Sequence, residues 1–248
     1  MKEIGHWING KHVKGTSGRS ADVFNPATGE VQARVALATK AELDAATAEA
    51  AKAQVKWGAT NPQKRGRVMM EMVRLINRDM EKLAEALSRE HGKTIPDAKG
   101  DIQRGLEVIE FCIGAPQMLK GEITDSAGPG IDMYSMRQPL GVVAGITPFN
   151  FPAMIPLWKM GPALSSGNAM ILKPSERDPS VPLMIAALCK EAGLPDGVLQ
   201  VINGDKDAVD GILDSEIIQA VGFVGSTPIA QYIYSRAAAT GKRAQCFG

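Results

Sequence analysis

From Leu140 onward, short unbroken apolar runs alternate with stretches of helical spacing. The runs lie near 140–146, 169–172, 198–202 and 220–224, and the helical stretches near 153–166, 180–192, 206–213 and 228–239. An apolar run without polar alternation marks a strand buried on both faces, as in parallel sheets covered by helices. Parallel neighbours need long crossovers, and the intervening helices supply them. The pattern predicts an α/β fold with a doubly wound parallel sheet, in which ligands collect beyond the carboxyl ends of the strands.

The first half of the chain reads differently. Residues 7–35 are short and turn-rich, with Asn9-Gly10 as a two-residue hairpin signal and Asn25-Pro26-Ala27-Thr28-Gly29 as a second turn. Thr39 and Glu42 form a capping box for a helix to Trp57, with Leu43, Ala46, Ala50 and Ala53 on one face. Asn61 and Pro62 open a second helix, expected to run unbroken through Met72, Leu75, Met80, Leu83 and Leu87 to Gly92. A third spans about Pro96 to Met118, packing Ile102, Leu106, Ile109 and Ile113. Between residues 119 and 138, glycines and Pro129 separate two weak strand segments, Glu122–Thr124 and Ile131–Met136.

Composition excludes several classes. The 28 basic and 27 acidic residues leave a net charge of +1, with none of the basic excess of a nucleic-acid binder. Gln138 to Trp158 carries no charge and is long enough for a membrane span. Pro139, Pro148, Pro152 and Pro156 argue against one, because an interior proline costs a helix ~3 kcal/mol. No apolar leader segment follows Met1. Cys112, Cys189 and Cys246 are odd in number and unclustered, which suits free thiols in the cytoplasm or mitochondrial matrix rather than disulfides or a metal site. No Gly-x-Gly-x-x-Gly fingerprint is present.

Three polar clusters follow predicted strands. Thr147-Pro148-Phe149-Asn150-Phe151-Pro152 sets one side-chain amide between two prolines, a rigid donor of the kind worth ~3–4 kcal/mol to a developing oxyanion. From these six residues alone, satisfaction of backbone groups in a Pro-rich turn is an equal reading. Lys173-Pro174-Ser175-Glu176-Arg177 follows the second strand, and Gly225-Ser226-Thr227-Pro228 follows the fourth.

In this order and spacing the three clusters resemble the nucleotide half of the aldehyde dehydrogenase superfamily. Phe149, where most members carry Trp, resembles the coenzyme-A-acylating branch that acts on methylmalonate and malonate semialdehyde. The resemblance implies that Lys173 and Glu176 bond the adenosine ribose hydroxyls with Arg177 alongside. A Glu acceptor favours NAD over NADP, partly offset by the two cations. Ser226 is expected to cap a helix starting at Thr227 or Pro228, where the pyrophosphate gains from helix-terminal donors. Thr147 and Phe149 line the nicotinamide end, and Asn150 is the oxyanion donor. Arg104, off the Ile102–Leu106–Ile109 face, matches the branch's ligand for the substrate carboxylate, a task suited to the guanidinium fork. A surface pair with Asp101 or Glu107 is the plainer alternative.

The same resemblance speaks to the chain's end. Phe247 stands where the family carries its general-base Glu, so hydrolysis is disfavoured and a coenzyme A thiol becomes the acyl acceptor. The nucleophilic cysteine is expected beyond Gly248, in a catalytic domain this chain lacks. Cys246 reads as a buried structural thiol, and Cys112 and Cys189 as core. The implied layout is an N-terminal part over residues 1–118 and an oligomerisation hairpin over 119–138 that pairs with a neighbouring subunit, giving a homo-oligomer. The parallel-sheet core occupies 139–248. The chain then reads as the NAD-binding half of a CoA-acylating semialdehyde dehydrogenase, inactive alone, without membrane or nucleic-acid partners. Half of a hydrolytic aldehyde dehydrogenase, or a non-catalytic NAD-binding protein, are the alternatives.

Overall fold

The computed structural model describes residues 1–248. The chain opens with β1 (Lys2–Ile4), β2 (His6–Ile8), β3 (Lys11–Val13), β4 (Ser20–Phe24) and β5 (Val31–Ala36). Strands β2 and β3 form the hairpin, turning at Asn9 and Gly10 with φ of 51° and 72°, the left-handed pair that a tight hairpin turn requires. Strands β1, β5 and β4 make a small separate sheet that the sequence pattern did not announce.

Helix α1 (Lys40–Gly58) begins with the capping box: Thr39 Oγ1 accepts from the Glu42 N–H at 3.1 Å and Glu42 Oε2 from the Thr39 N–H at 2.9 Å. The expected long second helix is instead two, α2 (Pro62–Arg78) and α3 (Met80–His91), broken at Asp79 with φ −100° and ψ 15°. Ile76 and Leu83, both fully buried, keep a seven-residue spacing across the break, so apolar periodicity cannot reveal it. The Asp79 carboxylate instead takes an ion pair from Arg78 at 2.9 Å. The third expected helix is likewise divided, into α4 (Ile95–Ile113) and the single turn α5 (Ala115–Met118). Pro116 has no N–H and its ring opposes a continuous helix. Strands β6 (Ile123–Gly128) and β7 (Ile131–Tyr134) form a two-stranded sheet of their own, with Ile123, Met133 and Tyr134 exposed.

The second half follows its predicted alternation: β8 (Val142–Ile146), α6 (Met154–Ser165), β9 (Ala169–Lys173), α7 (Ser180–Glu191), β10 (Leu199–Val201), α8 (Lys206–Asp214), β11 (Ile218–Val224), α9 (Thr227–Ala239) and β12 (Arg243–Phe247). The sheet order is β12-β11-β8-β9-β10-β2-β3. Strands β12 through β10 are parallel, whereas β2 joins β10 antiparallel through Val201 and Trp7. The sheet is therefore mixed rather than wholly parallel, because the N-terminal hairpin supplies its last two strands.

Side chains alternate across the pleat of β9. Met170 and Leu172 join a core with Leu75, Leu106 and Leu157, while Ala169 and Ile171 join another with Leu43, Ile212 and Ile233. Helices thus cover both faces. Starting from β8, the chain adds β9 and β10 on one side and then β11 and β12 on the other. This reversal opens a crevice at the carboxyl ends of β8 and β11, the place where such sheets bind ligands.

Candidate functional site

Three loops leave the carboxyl edge side by side. Ile146 at the end of β8 is in register with Lys173 on β9 and Phe223 on β11. The Thr147 N–H continues the ladder, donating to the Lys173 carbonyl at 3.1 Å. Thr147 is 4% exposed and its Oγ1 is buried without a partner, an unusual cost for a hydroxyl. Phe149 and Asn150 face outward. The Asn150 carbonyl accepts from Lys93 Nζ at 2.8 Å, but its side-chain amide has no partner within the chain. It is therefore not consumed in satisfying the turn.

The loop after β9 is mostly buried, contrary to a solvated turn. Lys173 is 6% exposed; its Nζ donates to the Gly204 carbonyl at 2.8 Å and lies 3.4 Å from Glu176 Oε2. Burial lowers its pKa, against the pull of Glu176. Glu176 keeps a partly open carboxylate, and the Arg177 guanidinium lies 4.7 Å from the Phe149 ring centre. Beneath them, burial first and the Glu90 carboxylate second push Asp178 up to about 8, so it is largely protonated at neutral pH. Glu90, itself raised by burial, accepts from both the N–H and the hydroxyl of Ser180.

After β11, Ser226 occupies the N-cap position of α9 with φ −72° and ψ 148°. Its side chain makes no capping hydrogen bond, contrary to expectation, and stays exposed. The hydroxyl and the first N–H groups of a thirteen-residue helix are thus open at one end of the crevice.

Arg104 sits on the outer face of α4 and makes no ion pair, while Asp101 belongs to Lys93 at 2.6 Å. The surface pair with Asp101 or Glu107 therefore does not form. Only the Arg104 backbone is engaged, its carbonyl accepting from Trp158 Nε1 at 3.1 Å. Lys93 and Asp101 are site residues that sequence reasoning missed. The available signal was Asp101 falling among Ala98, Ile102 and Gly105 on the buried side of α4.

Cys112 and Cys189 are buried, and burial pushes the Cys189 thiol up to about 12. Cys246 is only half-buried, which corrects its reading as a buried thiol, because β12 is an edge strand in which no residue is fully buried. Burial still raises its pKa, partly countered by Lys159. A cavity of about 950 Å³ lies elsewhere, between the N-terminal sheet, α3 and α7, and none of the strand-end residues lines it. No helix is long and apolar enough to cross a membrane.

The sequence profile of the aldehyde dehydrogenase family matches residues 12–246. The chain belongs to the aldehyde dehydrogenase family. Within it, the chain is 51% identical over all 248 residues to a malonate-semialdehyde dehydrogenase of Pseudomonas aeruginosa, covering 50% of that protein. A Sinorhizobium meliloti protein described as a methylmalonate-semialdehyde dehydrogenase and solved with NAD superposes with a TM-score of 0.99 at 66% identity. The match covers 100% of this chain and 50% of that one. The methylmalonate-semialdehyde dehydrogenase of Oceanimonas doudoroffii superposes at 0.98 with 52% identity, covering 100% and 51%. The chain thus spans about half the length of the relatives it matches, in keeping with an N-terminal half of that family's fold.

Proposed function

We propose that the chain is the NAD-binding half of a coenzyme-A-acylating aldehyde dehydrogenase. Its substrate is malonate or methylmalonate semialdehyde, converted to acetyl- or propionyl-coenzyme A with loss of carbon dioxide. What supports this reading is that the loops bearing Asn150, Glu176 and Ser226 leave the carboxyl ends of the neighbouring strands β8, β9 and β11, with three polar groups left free there. These are the orphaned Thr147 hydroxyl, the non-capping Ser226 hydroxyl and the Asn150 amide. The likeness to semialdehyde dehydrogenases supports the substrate class.

The residues suit a dinucleotide. Ser226 and the α9 terminus would hold the pyrophosphate, Lys173 and Glu176 the adenosine ribose with Arg177 beside them, and Thr147 and Phe149 the nicotinamide end. When bound, NAD supplies a hydride acceptor. The Asn150 amide donates to the oxygen of the aldehyde as a cysteine thiolate, contributed from outside this chain, attacks its carbon. A fixed donor of this kind stabilises that charge by ~3–4 kcal/mol. Arg104 holds the substrate carboxylate. With Phe247 in place of a carboxylate base, water is not activated and the acyl group passes to the coenzyme A thiol. Residues 139–248 form the parallel-sheet core and residues 1–118 the N-terminal part. The exposed hairpin at 119–138 pairs with a neighbouring copy. The free thiols suit the cytoplasm.

In the complete enzyme, malonate semialdehyde, NAD and coenzyme A should yield NADH and acetyl-coenzyme A in equal amounts. Free acid formed at the same rate with or without coenzyme A would contradict the acylating chemistry. The 248-residue chain alone should form no NADH from these aldehydes, and turnover lost in Cys246→Ser would reverse that statement.

A further inference from the structure

The segment that carries Asn150 is gripped at both ends by one buried ion pair. Lys93 follows Gly92, whose φ of 87° reverses the chain at the end of α3 and aims residue 93 inward. The Lys93 side chain is only 15% exposed and Asp101 is fully buried. The ammonium has three uses for its three protons. It donates to Asp101 Oδ2 at 2.6 Å and to the Asn150 carbonyl at 2.8 Å, and it sits 4.0 Å from the Phe151 ring centre. Asp101 Oδ1 in turn accepts from the Met154 N–H at 2.7 Å, one of the unpaired donors at the start of α6. Between these two anchors Pro152 offers no N–H, and the Phe151 and Ala153 carbonyls accept only from the first turn of α6, from Ile155 and Leu157.

We propose that Lys93 is a positioning residue: held by Asp101, it pins the Asn150 backbone and thereby fixes the Asn150 side-chain amide toward the reacting oxygen. This rests on the reading of Asn150 as oxyanion donor. A buried pair is a poor source of net stability, because desolvation offsets most of the attraction. Its value here lies in geometry, since a misplacement of about 1 Å at a reacting group can cost on the order of 100-fold in rate.

Two measurements test it. In the 248-residue chain, crystal structures or side-chain amide NMR of Lys93→Met should show Asn150 displaced or mobile. Lys93→Met with Asp101→Asn removes both charges yet keeps an acceptor for Met154, and should show the same change if burial of a lone carboxylate unfolds the single variant. In the complete enzyme, Lys93→Met should lower kcat about 10- to 100-fold with little change in KM for NAD. Lys93→Arg should recover part of it. Combined with Asn150→Ala, Lys93→Met should add no further loss, because it acts through Asn150. Additive losses, or an unmoved Asn150 in both variants, overturn the proposal. A normal kcat for Asn150→Ala alone overturns the oxyanion reading instead, while the displacement measurement still reports on the tether.

Discussion

The Arg177 guanidinium stacks 4.7 Å from the centre of the Phe149 ring, joining the loop after β9 to the loop after β8. Both residues are exposed, so the stack bridges the crevice at its surface rather than within the core. An exposed cation–π contact is worth ~0.5–1 kcal/mol. Phe149→Leu should therefore weaken NAD binding about two- to five-fold and loosen Arg177, read by calorimetry and by the temperature factors of residues 174–178. Unchanged affinity in Phe149→Leu would separate the stack from cofactor binding.

Asp178 predicts a pH dependence of stability. Its carboxyl ionises near 3.8 when unfolded and at about 8 when folded. Between those values the unfolded chain has released a proton that the folded chain keeps, so stability falls as pH rises and levels off above 8. Glu90, raised by burial, acts in the same direction, whereas His6 and Lys173, both lowered by burial, act in the opposite direction, His6 below 6.5. Comparing Asp178→Asn with the parent protein over pH 6.5 to 8 therefore isolates the Asp178 contribution. One proton over that range amounts to about 2 kcal/mol, which Asp178→Asn should abolish in denaturant melts. Equal slopes in the two proteins would place the titration elsewhere.

Arg104 predicts substrate discrimination. It projects from α4 without an ion-pair partner, whereas Arg74, Arg78 and Arg236 on other helices are paired. In the complete enzyme, Arg104→Leu should raise KM for malonate semialdehyde at least about ten-fold more than for propanal, a difference of ~1.4 kcal/mol. Loss of a buried charge partner reaches ~2–5 kcal/mol. Parallel changes for both aldehydes would make Arg104 a surface residue.

The sheet was legible where its signals are local. Val142–Ile146 and Ala169–Lys173 are unbroken apolar runs, and Thr39–Glu42 and Asn9–Gly10 carry their own hydrogen-bond and φ requirements. The breaks at Asp79 and Gly114 were hidden because core spacing continues through the first and a helix resumes directly after the second. The joining of Trp7 to Val201 was also hidden, since pairing over such a distance leaves no local trace. At the site, the positions of Asn150, Glu176 and Ser226 followed from the strand ends. The tether from Lys93 and Asp101 did not: Asp101 fell on the apolar side of its helix, but a lysine after a glycine stop looks like solvated surface and nothing local links the two.

The account stands or falls on the crevice holding a dinucleotide, and calorimetric titration of the 248-residue chain with NAD and with NADP tests this directly. The account predicts one saturable site for NAD, weaker binding of NADP, and in Glu176→Gln a loss of NAD affinity that narrows the gap between them. No saturable NAD binding by the folded chain, or NADP bound as tightly as NAD, would contradict it.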